Sequence, residues 1–264
     1  MYINDVNIIF YTLMALLGGA VGQFVDYCNR VFLKEEKILS KKNFKEYIHT
    51  VKPNYYLIIV TAVSYIALVY KFGNTDLIKL AMYSCLIPML LSAFVIDYKI
   101  QIIPNRLNLT MFEIGMIFVF IYGMLNLSIS IDMLLGMLTG GGIFLLITIV
   151  GGFIAGKEAM GFGDVKLMGA LGLYFGFAST IAISVMSFLI GAVVSIILMI
   201  VRKNKINSYI PFGPFIVTSA IISIFVPFNL LFVALMKIFS LGLYWLEVRR
   251  FIWKCKGVSL IKPI

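Results

Sequence analysis

The sequence predicts an all-α protein, a polytopic bundle of about eight or nine transmembrane helices with a small cytoplasmic loop after the first helix. Of its 264 residues, 61% are hydrophobic and only 13% are charged, a composition unlike that of soluble domains. Apolar stretches close to the roughly 20 residues that cross a bilayer recur along the chain. The basic residues lie between these stretches, which is typical of a multi-pass membrane protein.

Nine apolar stretches follow one another along the chain. They run approximately over residues 8–25, 55–70, 78–96, 108–125, 131–155, 165–176, 178–201, 213–227 and 229–247. The sixth is short, and it could join the seventh in one element broken at Gly172 and Gly176. The first residues carry Asp5 and no Lys or Arg, unlike a cleavable signal peptide, so we expect the first helix to be retained.

The distribution of Lys and Arg predicts the orientation of the chain. With the N-terminus outside and nine crossings, 19 of the 22 basic residues fall on the cytoplasmic side, as the positive-inside rule requires. With one crossing fewer, the basic cluster Arg202, Lys203 and Lys205 would lie outside. Because topology accounts for the net charge of +10, we expect the lipid bilayer as a partner and no nucleic acid.

Two aspartates stand at the ends of apolar stretches, where charge is costly. Asp97 ends the third stretch, and Asp164 lies 67 positions later, behind two glycines. Two crossings separate them in the nine-helix topology, so both reach the cytoplasmic face and can meet. Each also has a simpler interpretation: Asp164 could be a helix N-cap, and Asp97 could be a charged helix end paired with Lys99 or Arg106.

A pair of aspartates suits the attack of water on a carbonyl. Two carboxylates within about 3 Å share one proton. The ionised carboxylate takes a proton from the attacking water, while the protonated carboxyl binds the carbonyl oxygen and protonates the leaving group. Such chemistry needs no cofactor and no metal, and three cysteines with one histidine give little basis for a Cys/His metal site.

Neighbouring residues are candidates for supporting the two acids. Gly161 and Gly163 permit a tight turn and the approach of another chain. Lys166 points away from Asp164 on a helix, and its long side chain is expected to reach the lipid head groups. Pro104 disfavours helix before it, which predicts an irregular connection after Asp97.

These residues resemble the motifs of one membrane protease family. The pattern Asp97-x6-Pro104-Asn105, together with Gly156 to Leu167, is similar to the prepilin peptidases, also called type IV leader peptidases, a family of GxGD-type intramembrane aspartic proteases. The segment Ile210 to Phe215 resembles that family's motif before its last common helix. The resemblance covers roughly residues 80 to 225.

The resemblance implies a function and a place for it. It implies an aspartic endopeptidase of the cytoplasmic (inner) membrane that removes the basic leader from type IV prepilins or pseudopilins at the cytoplasmic face. Asp97 and Asp164 match the catalytic positions. Glu158 matches the motif's acid and could attract a basic leader or be a solvated loop carboxylate. Residues 55–264 would then be the peptidase domain with an extra C-terminal helix.

The chain also departs from the family pattern. Residues 1–54 would be a reduced counterpart of the family's N-terminal region, because the loop after helix one has no Cys-x-x-Cys pair and Cys28 stands alone. N-methylation with S-adenosylmethionine is therefore doubtful. Alternatives from other classes are a proton-coupled transporter that uses the two aspartates as a relay, and an inactive assembly scaffold. The sequence specifies neither the particular pilin nor an oligomeric state.

Overall fold

The computed structural model describes residues 2–3, 6–33, 54–156, 160–201 and 211–239, and these ranges confirm the all-α prediction. A short antiparallel ribbon pairs β1 (Tyr2–Ile3) with β2 (Val6–Asn7). Eight helices follow in the described ranges: α1 (Ile8–Leu33), α2 (Tyr55–Phe72), α3 (Leu77–Ile100), α4 (Asn105–Leu125), α5 (Leu127–Ala155), α6 (Phe162–Val201), α7 (Gly213–Phe225) and α8 (Phe228–Phe239).

The first six helices are long and apolar enough to cross a membrane, which confirms a multi-pass membrane protein. Helices α7 and α8 are shorter and also apolar. The chain forms two compact units, residues 1–225 and 226–264. The first unit contains α1 to α7, and its core is continuous from α1 to α7.

Helix α6 reverses direction at Gly176, which has the backbone angles φ 74° and ψ 178°. A methyl group on Gly140 of α5 would lie 2.5 Å from the Met168 carbonyl oxygen and 2.9 Å from the Thr180 side chain. In a straight helix these two residues would be roughly 18 Å apart. The sixth and seventh predicted stretches are therefore two arms of one hairpin, broken at Gly176 and not at Gly172.

Polar groups of α5 and α6 stabilise this reversal. The positive φ of Gly176 is a backbone conformation that glycine adopts without steric cost. The Asp132 carboxylate accepts a hydrogen bond from the Phe177 N–H at 3.2 Å, so it caps the second arm. Gly172 lies against the Gly136 backbone, where any side chain would separate the two helices.

A tyrosine compensates for the proline inside α3. Pro88 has no N–H, so the Ser84 carbonyl four residues earlier loses its helical partner. The Tyr65 hydroxyl of α2 donates to that carbonyl at 2.6 Å. Because an unpaired carbonyl is costly away from water, this bond ties α2 to α3, the helix that ends beside Asp97.

We predict that Tyr65→Phe destabilises the fold by about 1–3 kcal/mol, because the Ser84 carbonyl is left without a partner. Tyr56→Phe is the matched control, since the Tyr56 side chain is 86% exposed. Thermal unfolding in detergent, followed by circular dichroism, measures both variants. Equal melting temperatures for the two would contradict the role of Tyr65.

Candidate active site

Asp97 lies in the last turn of α3, where the helix ends abruptly. Gln101 has left-handed backbone angles (φ 57°, ψ 28°), and its N–H donates to the Asp97 carbonyl. An irregular connection then runs to Pro104, whose extended backbone (ψ 133°) begins α4. The connection predicted from Pro104 is thus present, and it places the Asp97 side chain at the end of the helix.

Asp164 is the third residue of α6. Its N–H donates to the Gly161 carbonyl at 3.0 Å, and the Asn108 side-chain amide donates to the Gly163 carbonyl at 3.1 Å. These bonds hold the turn that carries the acid. The Asp164 carboxylate accepts no hydrogen bond from the described residues, so it is not the N-cap that the simpler interpretation proposed.

One cavity of about 280 Å³ contains both acids in its wall. Asp97 is 4% exposed and Asp164 is 6% exposed. The structure therefore brings together two carboxylates that are 67 positions apart in the sequence. The cavity is lined by Asp97, Gln101, Ile102, Ile103, Asn105, Gly161, Phe162, Gly163, Asp164, Lys166 and Phe212.

Ile103 lies between the segments that carry or contact the two acids. A methyl group on Gly163 would be 3.4 Å from the Ile103 Cβ, and one on Gly213 would be 3.2 Å from its Cδ1. The space beside Gly163, which the sequence analysis assigned to an approaching chain, is thus filled by Ile103. Ile103 is buried, whereas the adjacent Ile102 is 67% exposed at the cavity.

The start of α7 contacts Asp97 directly. The Gly213 N–H donates to the Asp97 Oδ2 at 2.9 Å. Phe212, just before it, packs on Phe188 with ring centroids 5.0 Å apart and on Phe144 at 6.0 Å. These aromatic contacts fix the position of the N–H group that bonds the carboxylate.

The alternative ion pairs of Asp97 are not formed. Within the described residues, the ion pairs join Asp26 to Arg30 and Asp76 to Lys79. Neither Lys99 nor Arg106 pairs with Asp97, so no cation in the described ranges neutralises its carboxylate. The described part of the chain also holds no cluster of three His, Cys, Asp or Glu side chains that could bind a metal.

Of the other predicted site residues, two line the cavity and one lies outside the described residues. The Lys166 amine donates to the Asn105 side chain at 2.8 Å, and both residues line the cavity. Its expected reach to the lipid head groups stays a prediction. Gly161 lines the cavity near Asp164. Glu158 lies outside the described residues.

The sequence did not identify three groups that shape the candidate site: Ile103, Asn108 and the Gly213 N–H. They act through contacts that no local sequence pattern reveals, although Gly213 lies in the segment that resembles the family's motif before its last common helix. Asn108 follows Asn105 by three residues on α4, and a buried amide on an apolar helix is the one signal that could have drawn attention to it.

Two buried carboxylates thus line one cavity between apolar helices, the arrangement expected of a membrane aspartic protease. The model of the type IV leader peptidase family matches residues 84–196, which include both acids. Leader peptidase HopD of Escherichia coli is 31% identical over 145 residues, which make up 54% of this chain and 89% of that protein. The chain therefore belongs to the type IV leader peptidase family.

Other relatives match over a smaller part of their length. The prepilin leader peptidase/N-methyltransferase of Aeromonas hydrophila is 31% identical over 121 residues, 46% of this chain and 41% of that protein. The protein of the same name from Escherichia coli (strain K12) is 28% identical over 145 residues, 55% of this chain and 61% of that protein. The chain thus matches about two fifths to three fifths of these relatives. No solved structure matches it significantly.

We predict that a cysteine at position 102 reacts with a hydrophilic maleimide at least about tenfold faster than one at position 103, because thiol modification requires exposure. Both variants, Ile102→Cys and Ile103→Cys, are made in a chain whose native cysteines are replaced by serine. Mass spectrometry follows the reaction in detergent. Equal rates would show that the connection after α3 does not adopt the described conformation.

Proposed function

We propose that this protein is a membrane aspartic endopeptidase that cuts the basic leader from type IV prepilin or pseudopilin precursors. The observation that carries the proposal is the meeting of Asp97 and Asp164 at one cavity. Membership of the type IV leader peptidase family and the names of the relatives support the same function.

The geometry supports a hydrolytic mechanism. Among the described residues no hydrogen bond joins Asp97 to Asp164, and the cavity of about 280 Å³ that both acids line has room for a water molecule and a peptide carbonyl. The ionised carboxylate takes a proton as the water oxygen attacks the carbonyl carbon. The protonated carboxyl gives its proton to the carbonyl oxygen. As the C–N bond breaks, the leaving amine takes the proton that the other carboxylate gained from water.

The surroundings of the cavity suit a substrate with a polar leader and an apolar helix. The acids lie at helix ends, with Asp97 in the last turn of α3 and Asp164 in the first turn of α6. A peptide bond between a basic leader and a membrane-spanning pilin helix would lie at this level of the bundle. A proton-coupled transporter would be expected to place its acids near the middle of broken helices.

The charge pattern supports cleavage at the cytoplasmic face. In the nine-crossing topology, the hairpin of α6 returns the chain at Val201 to the side that carries Asp97 and Asp164. This arrangement places most of the basic residues inside, where a basic leader would also remain. Hydrolysis by this pair needs no cofactor. Methyl transfer, which the names of several relatives include, is a separate activity that mass spectrometry of the mature pilin terminus would detect.

We predict that Asp97→Asn and Asp164→Asn each reduce leader removal by at least about a hundredfold, because each removes one partner of the acid–base pair. The assay is co-expression with a prepilin, followed by gel separation of precursor and mature forms. Asp76→Asn is the matched control: Asp76 caps α3 at its other end, and asparagine caps equally well. Normal cutting by either active-site variant would refute the proposed mechanism.

We also predict that a reporter fused after Lys205 behaves as cytoplasmic. The prediction follows from the hairpin in α6, which adds the crossing that a single continuous helix would lack. A pair of fusions, one carrying alkaline phosphatase and one carrying a fluorescent protein, measures the side. Phosphatase activity at this position would overturn the orientation.

A further inference from the structure

We propose that the two aspartates have unequal roles: Asp97 is the ionised base that activates water, Asp164 is the protonated acid, and the Gly213 N–H is the positioning group that makes the difference. This inference rests on the proposed hydrolytic function and assigns the order of its proton transfers. It also gives a function to the motif before α7, which the pair mechanism leaves unused.

The hydrogen bonds of the two carboxylates are asymmetric. Asp97 accepts the Gly213 N–H at 2.9 Å, whereas the Asp164 carboxylate accepts none from the described residues. An N–H donor stabilises a carboxylate more than a neutral carboxyl group. When the pair holds a single proton, the proton is therefore more stable on Asp164.

Helix dipoles alone do not distinguish the two acids. Asp164 lies in the first turn of α6, and Asp97 faces the first residue of α7. Both carboxylates are thus near the positive end of a helix. The direct bond from an N–H group to Asp97 is the difference between them, while Asp164 lines the cavity without such a bond from the described residues.

Position 213 requires glycine for this contact. A methyl group on Gly213 would lie 2.5 Å from the Asp97 Oδ2 and 2.9 Å from its carboxyl carbon, closer than non-bonded atoms tolerate. Pro214, the next residue, has no N–H to donate. Phe212 on the other side is held in an aromatic cluster with Phe144 and Phe188. The backbone therefore cannot shift freely to make room for a side chain.

The assignment orders the proton transfers. The Asp97 carboxylate takes a proton from water as the water oxygen forms its bond to the scissile carbonyl carbon. Asp164 donates its proton to the carbonyl oxygen as the C=O double bond becomes a single bond. Collapse of the tetrahedral intermediate breaks the C–N bond, and the proton gained by Asp97 leaves on the amine. Asp164 takes back a proton from a hydroxyl of the intermediate as the new C=O bond forms, which restores the starting state.

Two chemical labels distinguish an ionised carboxylate from a protonated one. An aryl epoxide is opened by a carboxylate: the carboxylate oxygen bonds to a ring carbon, the ring C–O bond breaks, and water protonates the alkoxide. A diazoacetyl compound takes the proton of a neutral carboxyl group, loses N₂ and forms an ester with the resulting carboxylate. We expect the epoxide on Asp97 and the diazoacetyl ester on Asp164, as read by peptide mass spectrometry of the whole chain in detergent.

The labelling has an outcome that overturns the assignment. Epoxide on Asp164, or equal epoxide labelling of both acids, would contradict an ionised Asp97. Protection by an added prepilin peptide shows that the label enters the active site. This experiment uses the wild-type chain, so it does not depend on the folding of any variant.

The second experiment tests Gly213 as a positioning residue. We expect Gly213→Ala to lower kcat by about tenfold to a hundredfold, because a small displacement of a reacting group has an effect of this size, with little change in KM. Gly142→Ala is the matched control, since a methyl group there meets no atom within 4 Å. Epoxide labelling of Asp97 should also fall in Gly213→Ala. Equal kcat and equal labelling in the two variants would exclude the role of Gly213.

The experiments distinguish a failure of the proposed hydrolytic function from a failure of the assignment of base and acid. If Asp97→Asn or Asp164→Asn still cuts the prepilin, the hydrolase itself is refuted. If both are inactive but the epoxide labels Asp164, the hydrolase stands and only the assignment of base and acid is reversed.

Discussion

The burial of two carboxylates between apolar helices is the constraint on which the site depends. A charge in such surroundings loses its hydration, and an unpaired charge is far costlier than a hydrogen-bonded one. Among the described residues, Asp97 is stabilised by the N–H of Gly213, and no basic residue pairs with it. Because none of the described cations pairs with it, the carboxylate stays available as a proton acceptor. The local fold thus stabilises the acid without neutralising it.

The other helices of the first unit, residues 1–225, hold three helix ends together at the candidate site. Asp97 ends α3, Asp164 begins α6, and Gly213 begins α7. Helix ends expose N–H groups and turns that helix interiors cannot offer. The close glycine contact between α5 and α6 and the tyrosine bond between α2 and α3 fix the helices along their length. The ends can therefore be irregular while the bundle remains ordered.

The two candidate catalytic acids could be identified from the sequence more readily than the residues that contact them. Asp97 and Asp164 stand out because charge is rare in this chain, and its cost in apolar stretches demands an explanation. The sequence limited the position of the break in α6 to two glycines, Gly172 and Gly176. Only the contacts with α5 show that the chain reverses at Gly176, whereas Gly172 packs within a helix. Periodicity cannot distinguish these uses of glycine. The bond from Gly213 to Asp97 spans 116 positions and leaves no local pattern.

The measurement that most directly tests this account is cross-linking of positions 97 and 164 in native membranes. Both acids are replaced by cysteine in a chain that otherwise lacks it, and a short bis-methanethiosulfonate is added. The account predicts efficient bridging of this pair, and none for a control pair at positions 97 and 132, since Asp132 lies at the reversal of α6. Failure to bridge 97 to 164, with each single cysteine reactive, would contradict the convergence of the two aspartates.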